Sequence, residues 1–240
     1  MTSLYDADER RRQFLLYLLG TGAFSVVTGC SSEGTESSEM PKEMSPGRSI
    51  FKFSGDVRVR GQPVTLQTPV SVGDVVETGE KSYVIFVVNK DSFILRSNSK
   101  LTLPLPVAAS VSSAFSLDRG KVLTVLASRR TQIKTPSAVI GIRGTGVYLE
   151  VEPDRSYVCT CYGIANLATV DDPAVNETIA SRHHDAPKYI LADTSAANRI
   201  QAAPFKNHDD QELLLIETLV GRTTPYIVPQ GLTRTRSRYF

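Results

Sequence analysis

The sequence predicts an all-β fold: a β-helix-like stack or sandwich of short strands, with one C-terminal helix docked on it. Three observations carry that expectation. Short apolar, β-branched runs alternate with Gly, Asp, Asn and Pro turn signals from Phe51 onward, which is strand spacing. Before residue 200 no segment shows a helical period. One amphipathic stretch, Leu213 to Val220, follows an acidic helix-start signal near the C-terminal end.

Taken in order, Val57, Val59 and Gly61 alternate with Arg58 and Arg60, a half-buried strand with one wet face. Gly73-Asp74 and Thr78-Gly79 bracket Val75-Val76 as turns. Tyr83 to Val88 is continuously apolar and predicts a central strand covered on both faces. Asn89-Lys90-Asp91 turns it into Ser92 to Leu95, and Lys100 to Leu105 continues the pattern until Pro104 and Pro106 interrupt it. A Ser/Ala-rich connection, Ala108 to Ala114, leads to a strand over Phe115 to Leu117. Asp118-Arg119-Gly120 is expected to turn it into Lys121 to Leu126. Tyr148 to Val151 and Tyr157 to Tyr162 are expected to pair as a hairpin across Glu152-Pro153-Asp154-Arg155. Val84, Phe86, Val88, Ile94, Val122, Val125, Ile133, Ile140 and Val147 are the expected packing residues. In the helix, Asp209 with Glu212 reads as a capping box, and Asn207 with Asp210 is the competing register. Leu213, Ile216, Leu219 and Val220 form the stripe, and Gly221 and Pro225 stop it.

The chain is organised around Gln132 to Gly146, where Pro136, Gly141, Gly144 and Gly146 punctuate a β-branched run. Pro136 removes a ladder donor and predicts a turn or a sheet edge. Gly141 and Gly144 suit positions of positive φ or close backbone approach. Arg143, between them, predicts an acceptor, either backbone carbonyls or one carboxylate.

Thr135-Pro136-x-Ala138-x-x-Gly141-x-Arg143-Gly144-Thr145 resembles the signature of the FecR-like periplasmic domain family. Gly73-Asp74-Val75-Val76-x-Thr78-Gly79, Asp91-Ser92-Phe93-Ile94-Leu95 and Arg119-Gly120-Lys121-Val122 are similar to other parts of the same family, so the resemblance covers residues 50–170. It implies the stacked arrangement over the sandwich and gives Thr135, Pro136, Gly141, Arg143, Gly144 and Thr145 a structural role. It also implies a non-catalytic binding or signalling module with an envelope or outer-membrane protein partner. In the family's best-known members the domain receives a signal from an outer-membrane receptor and controls a sigma factor. Those members carry a cytoplasmic anti-sigma segment and a membrane-spanning helix, neither of which is visible in this sequence.

The first residues read as an address. Arg11-Arg12-Gln13-Phe14-Leu15-Leu16 matches a twin-arginine export signal, and Phe14 to Val27 is an apolar region too short to span a bilayer comfortably. Val27-Thr28-Gly29-Cys30 resembles a bacterial lipobox, which makes Cys30 the expected lipidation site and 1–29 the expected signal peptide. Each methylene of an attached chain that is buried in the bilayer contributes about 0.8 kcal/mol of anchoring. Ser31 in place of an aspartate points to the outer rather than the inner membrane of a Gram-negative cell, facing the periplasm. Residues 30–49 are Ser/Glu/Gly/Pro-rich and predict a flexible tether. The expected β domain spans 50–200, and 201–240 holds the helix and tail. Lys and Arg number 27 against 25 Asp and Glu, for a net charge of +2, with no basic run in the body. Nucleic acid is therefore not an expected partner. Arg234, Arg236 and Arg238 read as a solvated end.

All 3 histidines, and both cysteines other than Cys30, lie after residue 158. Cys159 and Cys161 sit two apart on a strand, so their sulfurs share a face with about 6 to 7 Å between Cα atoms. Three fates are open to them: a strained disulfide, inert buried thiols, or thiolates on a soft or borderline metal. Cys159, Cys161, His184 (or His183) and His208 have the ligand types of a Cys2His2 site for zinc or copper(I). His208 flanks the helix start, whose partial positive charge favours a neutral imidazole. Three functions follow: an envelope lipoprotein acting as a binding or signalling module, a zinc or copper(I) trafficking or sensing lipoprotein, and a hydrolase. The last would use His183 or His184 with Asp185 and a nearby Ser181, but it lacks a strand-borne nucleophile and an oxyanion site.

Overall fold

The computed structural model describes residues 42–105, 112–127 and 130–227. The export signal, Cys30, most of the expected tether and the terminal arginines lie outside the described residues. The body is all-β with a helix near its C-terminal end. Its strands are β1 (Ile50–Ser54), β2 (Val57–Val59), β3 (Gln62–Pro63), β4 (Val75–Thr78), β5 (Tyr83–Val88), β6 (Asp91–Leu95), β7 (Lys100–Thr102), β8 (Ser112–Val125), β9 (Arg130–Lys134), β10 (Ala138–Glu152), β11 (Arg155–Thr169), β12 (Asn176–Ser181), β13 (Lys188–Leu191) and β14 (Ile200–Ala202). The helix is α1 (Asp210–Thr218).

All 14 strands belong to one hydrogen-bonded sheet, antiparallel except for the β8–β9 pair. The long strands act as hubs. On one edge, β10 pairs with β9 through Val139–Arg143 and then with β8 through Gly146–Val151. Its other edge pairs with β11 along nearly its whole length, from Ala138↔Thr169 to Glu152↔Arg155. The β10 partner changes at a bulge between Arg143 and Gly146. Across from it lies Gly163 at φ 91°, where an added Cβ would sit 2.5 Å from Thr145 Cγ2 and 2.8 Å from the Gly144 carbonyl oxygen. Only glycine fits there.

The far edge of β11 is shared in the same way. Arg155–Val158 pairs with β13 and Gly163–Ala168 with β12. Residues 159–162 fall in the gap between those two partners, and the β12–β13 connection closes over them.

Three local expectations change. Asp118-Arg119-Gly120 is not a turn but a kink inside the continuous strand β8, with Gly120 at φ 87° against Ser99. The bulge keeps the strand paired on both sides, so turn chemistry is used without a reversal. Gly141 has neither positive φ nor a tight neighbour, its added Cβ meeting Asn166 at 3.8 Å. Gly144, at φ 59°, does sit at the bulge. Arg143 is exposed, and its side chain has no hydrogen bond or ion pair among the described residues, because it emerges into solvent rather than the core.

Thr135-Pro136-Ser137 makes the bend between β9 and β10. It is locked by buried hydroxyls: the Thr135 hydroxyl oxygen accepts from Ala138 N at 3.0 Å, and Ser156 Oγ lies 2.7 Å from both Thr135 Oγ1 and Ser137 Oγ. Phe86 and Phe93 stack at 4.7 Å, with Phe115 edge-on to Phe93 at 5.6 Å, in the main apolar cluster. The nine packing residues expected from the sequence are all buried.

A helix of 9 residues is marginal in water on its own, so α1 depends on docking. Leu213, Ile216, Leu219 and Val220 are buried against the body. Each contributes about 1.5–3 kcal/mol as an upper estimate. Asp209 caps the helix in the capping-box register: its carboxylate accepts from Glu212 N at 3.0 Å, and Glu212 Oε2 accepts from Asp209 N at 3.2 Å. The same Glu212, fully buried, takes Arg96 Nη2 at 2.8 and 2.9 Å, and Arg96 also donates to Asn207 O at 2.9 Å. At the other end, Met44 N donates to Leu219 O at 3.0 Å, so chain contacts with the body begin within residues 42–49.

Candidate metal centre

The gap at residues 159–162 of β11 collects the chain's sulfur and imidazole groups. Cys159 and Cys161 turn to the same side of β11, with Cys159 opposite Tyr148 on β10. The β12–β13 connection crosses that side, and His184 N donates to Cys161 O at 2.8 Å. Asp185 shapes this connection by accepting from Arg182 N at 2.8 Å, while Ser181 Oγ accepts from Asp185 N at 2.9 Å. His184 takes φ 55°, which turns adjacent rings in different directions. His208 arrives from the start of α1, after Asn207 at φ 60°.

One ligand atom from each of Cys159, Cys161, His184 and His208 falls within 4.8 Å of all the others. Cys161 Sγ lies 3.4 Å from His208 Nε2, Cys159 Sγ 3.7 Å from His184 Nδ1, and the two inward nitrogens 3.0 Å apart. Tetrahedral zinc, with bonds of about 2.0–2.1 Å to nitrogen and about 2.3 Å to sulfur, places its ligand atoms about 3.3–3.8 Å apart. The two sulfur–nitrogen pairs fall in that range, the nitrogen pair at 3.0 Å is slightly closer, and all four atoms lie within 4.8 Å of one another.

The outward ring nitrogens are already committed. His208 Nδ1 donates to Lys206 O at 2.7 Å, which fixes Nε2 as the inward lone pair because a carbonyl can only accept. His184 Nε2 donates to Asp210 Oδ1 at 3.0 Å and turns Nδ1 inward. This is the outer hydrogen bonding that orients metal-bound imidazoles. Aromatic rings wall the cluster: Tyr148 stacks on His208 at 4.4 Å, and Phe205 leans on both imidazoles at 4.6 Å. Cys159, Cys161 and His208 are fully buried, and both cysteines are free thiols.

The electrostatics follow from this crowding. A hydrogen bond from Cys161 pulls the Cys159 thiol down against the cost of burial, and His184 and His208 add to the pull. Burial pushes Cys161 up, with the neighbouring Cys159 charge behind it. Burial opposes a charged His184, but Asp210 and Cys159 outweigh it and raise the ring to about 9. Asp210 is drawn down to about 2 by its two imidazole partners, against burial. These shifts favour the charge on Cys159 and His184 and the proton on Cys161.

His183 is not in the inner set. Its ring faces outward and its Nε2 reaches the two Asp210 oxygens at 2.9 and 3.0 Å. Asp185, the expected orienter of a catalytic histidine, bonds only backbone N–H groups of its own loop, and Ser181 Oγ bonds Cys161 O and Asp185 N. Asp210, not singled out in the sequence as a site residue, does the orienting. Its sole local hint is an acidic first helical turn two residues after His208.

Residues 74–165 match the family model described as FecR protein. The chain carries a FecR domain. The match takes in the β9–β10 bend, the bulge and both cysteines, and it stops before His183, His184, His208 and α1. The FecR segment therefore supplies the sulfur half of the centre and the region beyond it the imidazole half. Two crystal structures of a candidate anti-sigma factor from Parabacteroides distasonis ATCC 8503, at 1.65 and 2.50 Å resolution, are similar at 10% identity with a TM-score of 0.44. The similarity covers 58% of this chain and 62% of that one, so the chain spans about three fifths of that protein's length. Comparison with curated proteins gives no match.

Proposed function

We propose that the chain is a non-catalytic binding and signalling module of the Gram-negative cell envelope, lipid-anchored at Cys30, whose FecR domain and the region after it together form a buried Cys2His2 site for zinc. The observation that carries the reading is the convergence of Cys159, Cys161, His184 and His208 within 4.8 Å, with both outward imidazole nitrogens already bonded to acceptors. FecR membership supports the signalling role, and the export signal and lipobox support the address. Four fixed ligands favour tetrahedral zinc over copper(I), which takes the same ligand types. The ligands come from β11, the β12–β13 connection and the start of α1, so a bound ion would join segments far apart in sequence. Occupancy would then report on, and stabilise, the seating of α1.

The test is metal analysis of the chain purified after expression with its own leader. Near one equivalent of zinc is expected, lost in Cys159→Ala and Cys161→Ala. The cobalt(II) form is expected to show intense thiolate-to-metal absorption. Binding of less than about a tenth of an equivalent after zinc reconstitution, where a structural site should fill, overturns the assignment. Preferential copper(I) retention in competition would move it to the copper reading.

A further inference from the structure

The buried set has an outer counterpart. His184 is 8% exposed and stands in the wall of the centre, its Nδ1 facing the sulfurs and its Nε2 facing Asp210. On the solvent side of Asp210 lies His183, 53% exposed, its Nε2 between the two carboxylate oxygens. One atom from each of His183, His184 and Asp210 again falls within 4.8 Å of the others. Two donor sets therefore share one imidazole: an enclosed set of two sulfurs and two nitrogens, and an open set of nitrogen and carboxylate oxygen. The outer set borders a groove of about 650 Å³ lined by Ser181, Arg182, His183 and Tyr226, with the Tyr226 ring 4.5 Å from His183.

We propose that His183 and Asp210 form an acquisition site that takes zinc from solvent or from a donor, and that the ion passes inward across His184 to Cys159, Cys161 and His208. This rests on the zinc reading of the buried centre. An ion destined for fully buried ligands needs an access route, and among the described residues His183 is the exposed imidazole adjoining that centre. The ligand types set the direction. Imidazole with carboxylate binds zinc in an open, solvent-exchanging site, whereas two thiolates and two imidazoles hold it in a closed one. A carboxylate at the mouth also suits zinc(II) and disfavours copper(I), which selects soft ligands. The ion first displaces the hydrogen shared by His183 Nε2 and Asp210, which leaves to solvent as a proton, and its entry into the closed set releases the Cys161 thiol proton and the proton on His184 Nδ1. As it moves inward Asp210 returns to accepting from His184 Nε2, so the same carboxylate serves capture and then orientation.

The experiment follows zinc uptake by the metal-stripped chain from a weak chromophoric chelator in stopped flow, alongside equilibrium competition for the same ion. His183→Ala is expected to slow uptake about tenfold or more, and chelator-driven release by the same factor, because both directions share the route. Its equilibrium affinity is expected to change less than about threefold, since an exposed ring outside the closed set adds little there. His183→Asp, which restores an oxygen ligand at the mouth, is expected to recover part of the rate. Unchanged uptake in His183→Ala overturns the proposal. So does a loss of affinity as large as the loss of rate, which would make His183 an ordinary ligand. A wild-type chain that takes up no zinc at equilibrium overturns the buried site itself, and is distinguished by that absence from a failure of the route.

Discussion

His208 Nε2 lies 3.0 Å from His184 Nδ1, although 24 residues separate them in the chain. Each imidazole has its other nitrogen fixed by an acceptor, Lys206 O for one and Asp210 for the other. Two lone pairs facing each other at this distance repel, and a shared proton or a metal cation removes the repulsion. The β body makes the meeting possible by leaving residues 159–162 of β11 without a strand on their outer edge, where the β12–β13 connection and the start of α1 can both arrive.

Asp210 should therefore govern metal affinity without touching the metal in the closed site. Asp210→Ala is expected to weaken zinc binding about 10–100-fold, the usual effect of removing an outer partner of a ligating histidine. Loss of an acidic group from the first helical turn adds a stability cost of about 0.3–1 kcal/mol. Competition with a calibrated chelator measures the first and urea denaturation of the metal-stripped chain the second. Unchanged affinity would show that Asp210 only caps the loop.

The Arg96–Glu212 pair is a separate hold on the helix. Arg96 is 17% exposed and Glu212 fully buried. Arg96→Met is expected to cost roughly 3–5 kcal/mol, because it leaves a buried carboxylate uncompensated. The double variant Arg96→Met, Glu212→Gln removes the orphan charge and keeps an acceptor for the Asp209 amide, so it should be more stable than Arg96→Met alone. Equilibrium denaturation of the three chains checks the order, and a double variant less stable than the single one contradicts it.

Two glycines of the β10–β11 ribbon should respond in opposite ways. Gly163→Ala meets Thr145 and the Gly144 carbonyl at φ 91° and is expected to destabilise by about 1–3 kcal/mol. Gly141→Ala meets ordinary contacts only. It should be neutral or stabilise by up to about 1 kcal/mol through a less flexible unfolded chain. Thermal unfolding of both variants tests the contrast, which fails if Gly141→Ala is the more damaging.

Much of this architecture was legible because local chemistry decides it. Asp209 and Glu212 stand three apart before an apolar stripe, and that spacing alone makes the capping box. Cys159 and Cys161 share a face by strand parity. Other features depend on tertiary placement. Asp118-Arg119-Gly120 has turn chemistry, yet pairing with β7 holds it as a kink in one long strand. Whether His183 or His184 faces the sulfurs depends on one residue at positive φ and on a bond to Cys161 O, which no local pattern encodes. Arg143 looks apolar-flanked in one dimension, but it faces solvent once the strand alternates.

Glu150 is one of the carboxylates that make the fold sensitive to acid. Burial pushes its carboxyl up, but Lys121 at 3.8 Å, Lys206 at 2.8 Å, the Tyr148 hydroxyl at 2.6 Å and the Asn207 amide at 2.6 Å outweigh it and hold it below the ordinary carboxylate value. A folded-state value below the unfolded one means that the group stabilises the fold above the unfolded value of about 4.3. That contribution drains away as pH falls through the folded value. Glu150→Gln lacks the titration but leaves Lys206 paired with Glu152 at 2.8 Å. The variant should be less stable than wild type near neutral pH. As pH drops below about 4 the gap should close, because the wild-type carboxyl then also becomes neutral. Urea denaturation of both chains from about pH 7 down to about pH 3 reads this directly. A gap of constant size across that range would mean that Glu150 contributes shape and hydrogen bonds at the start of α1, and no charge.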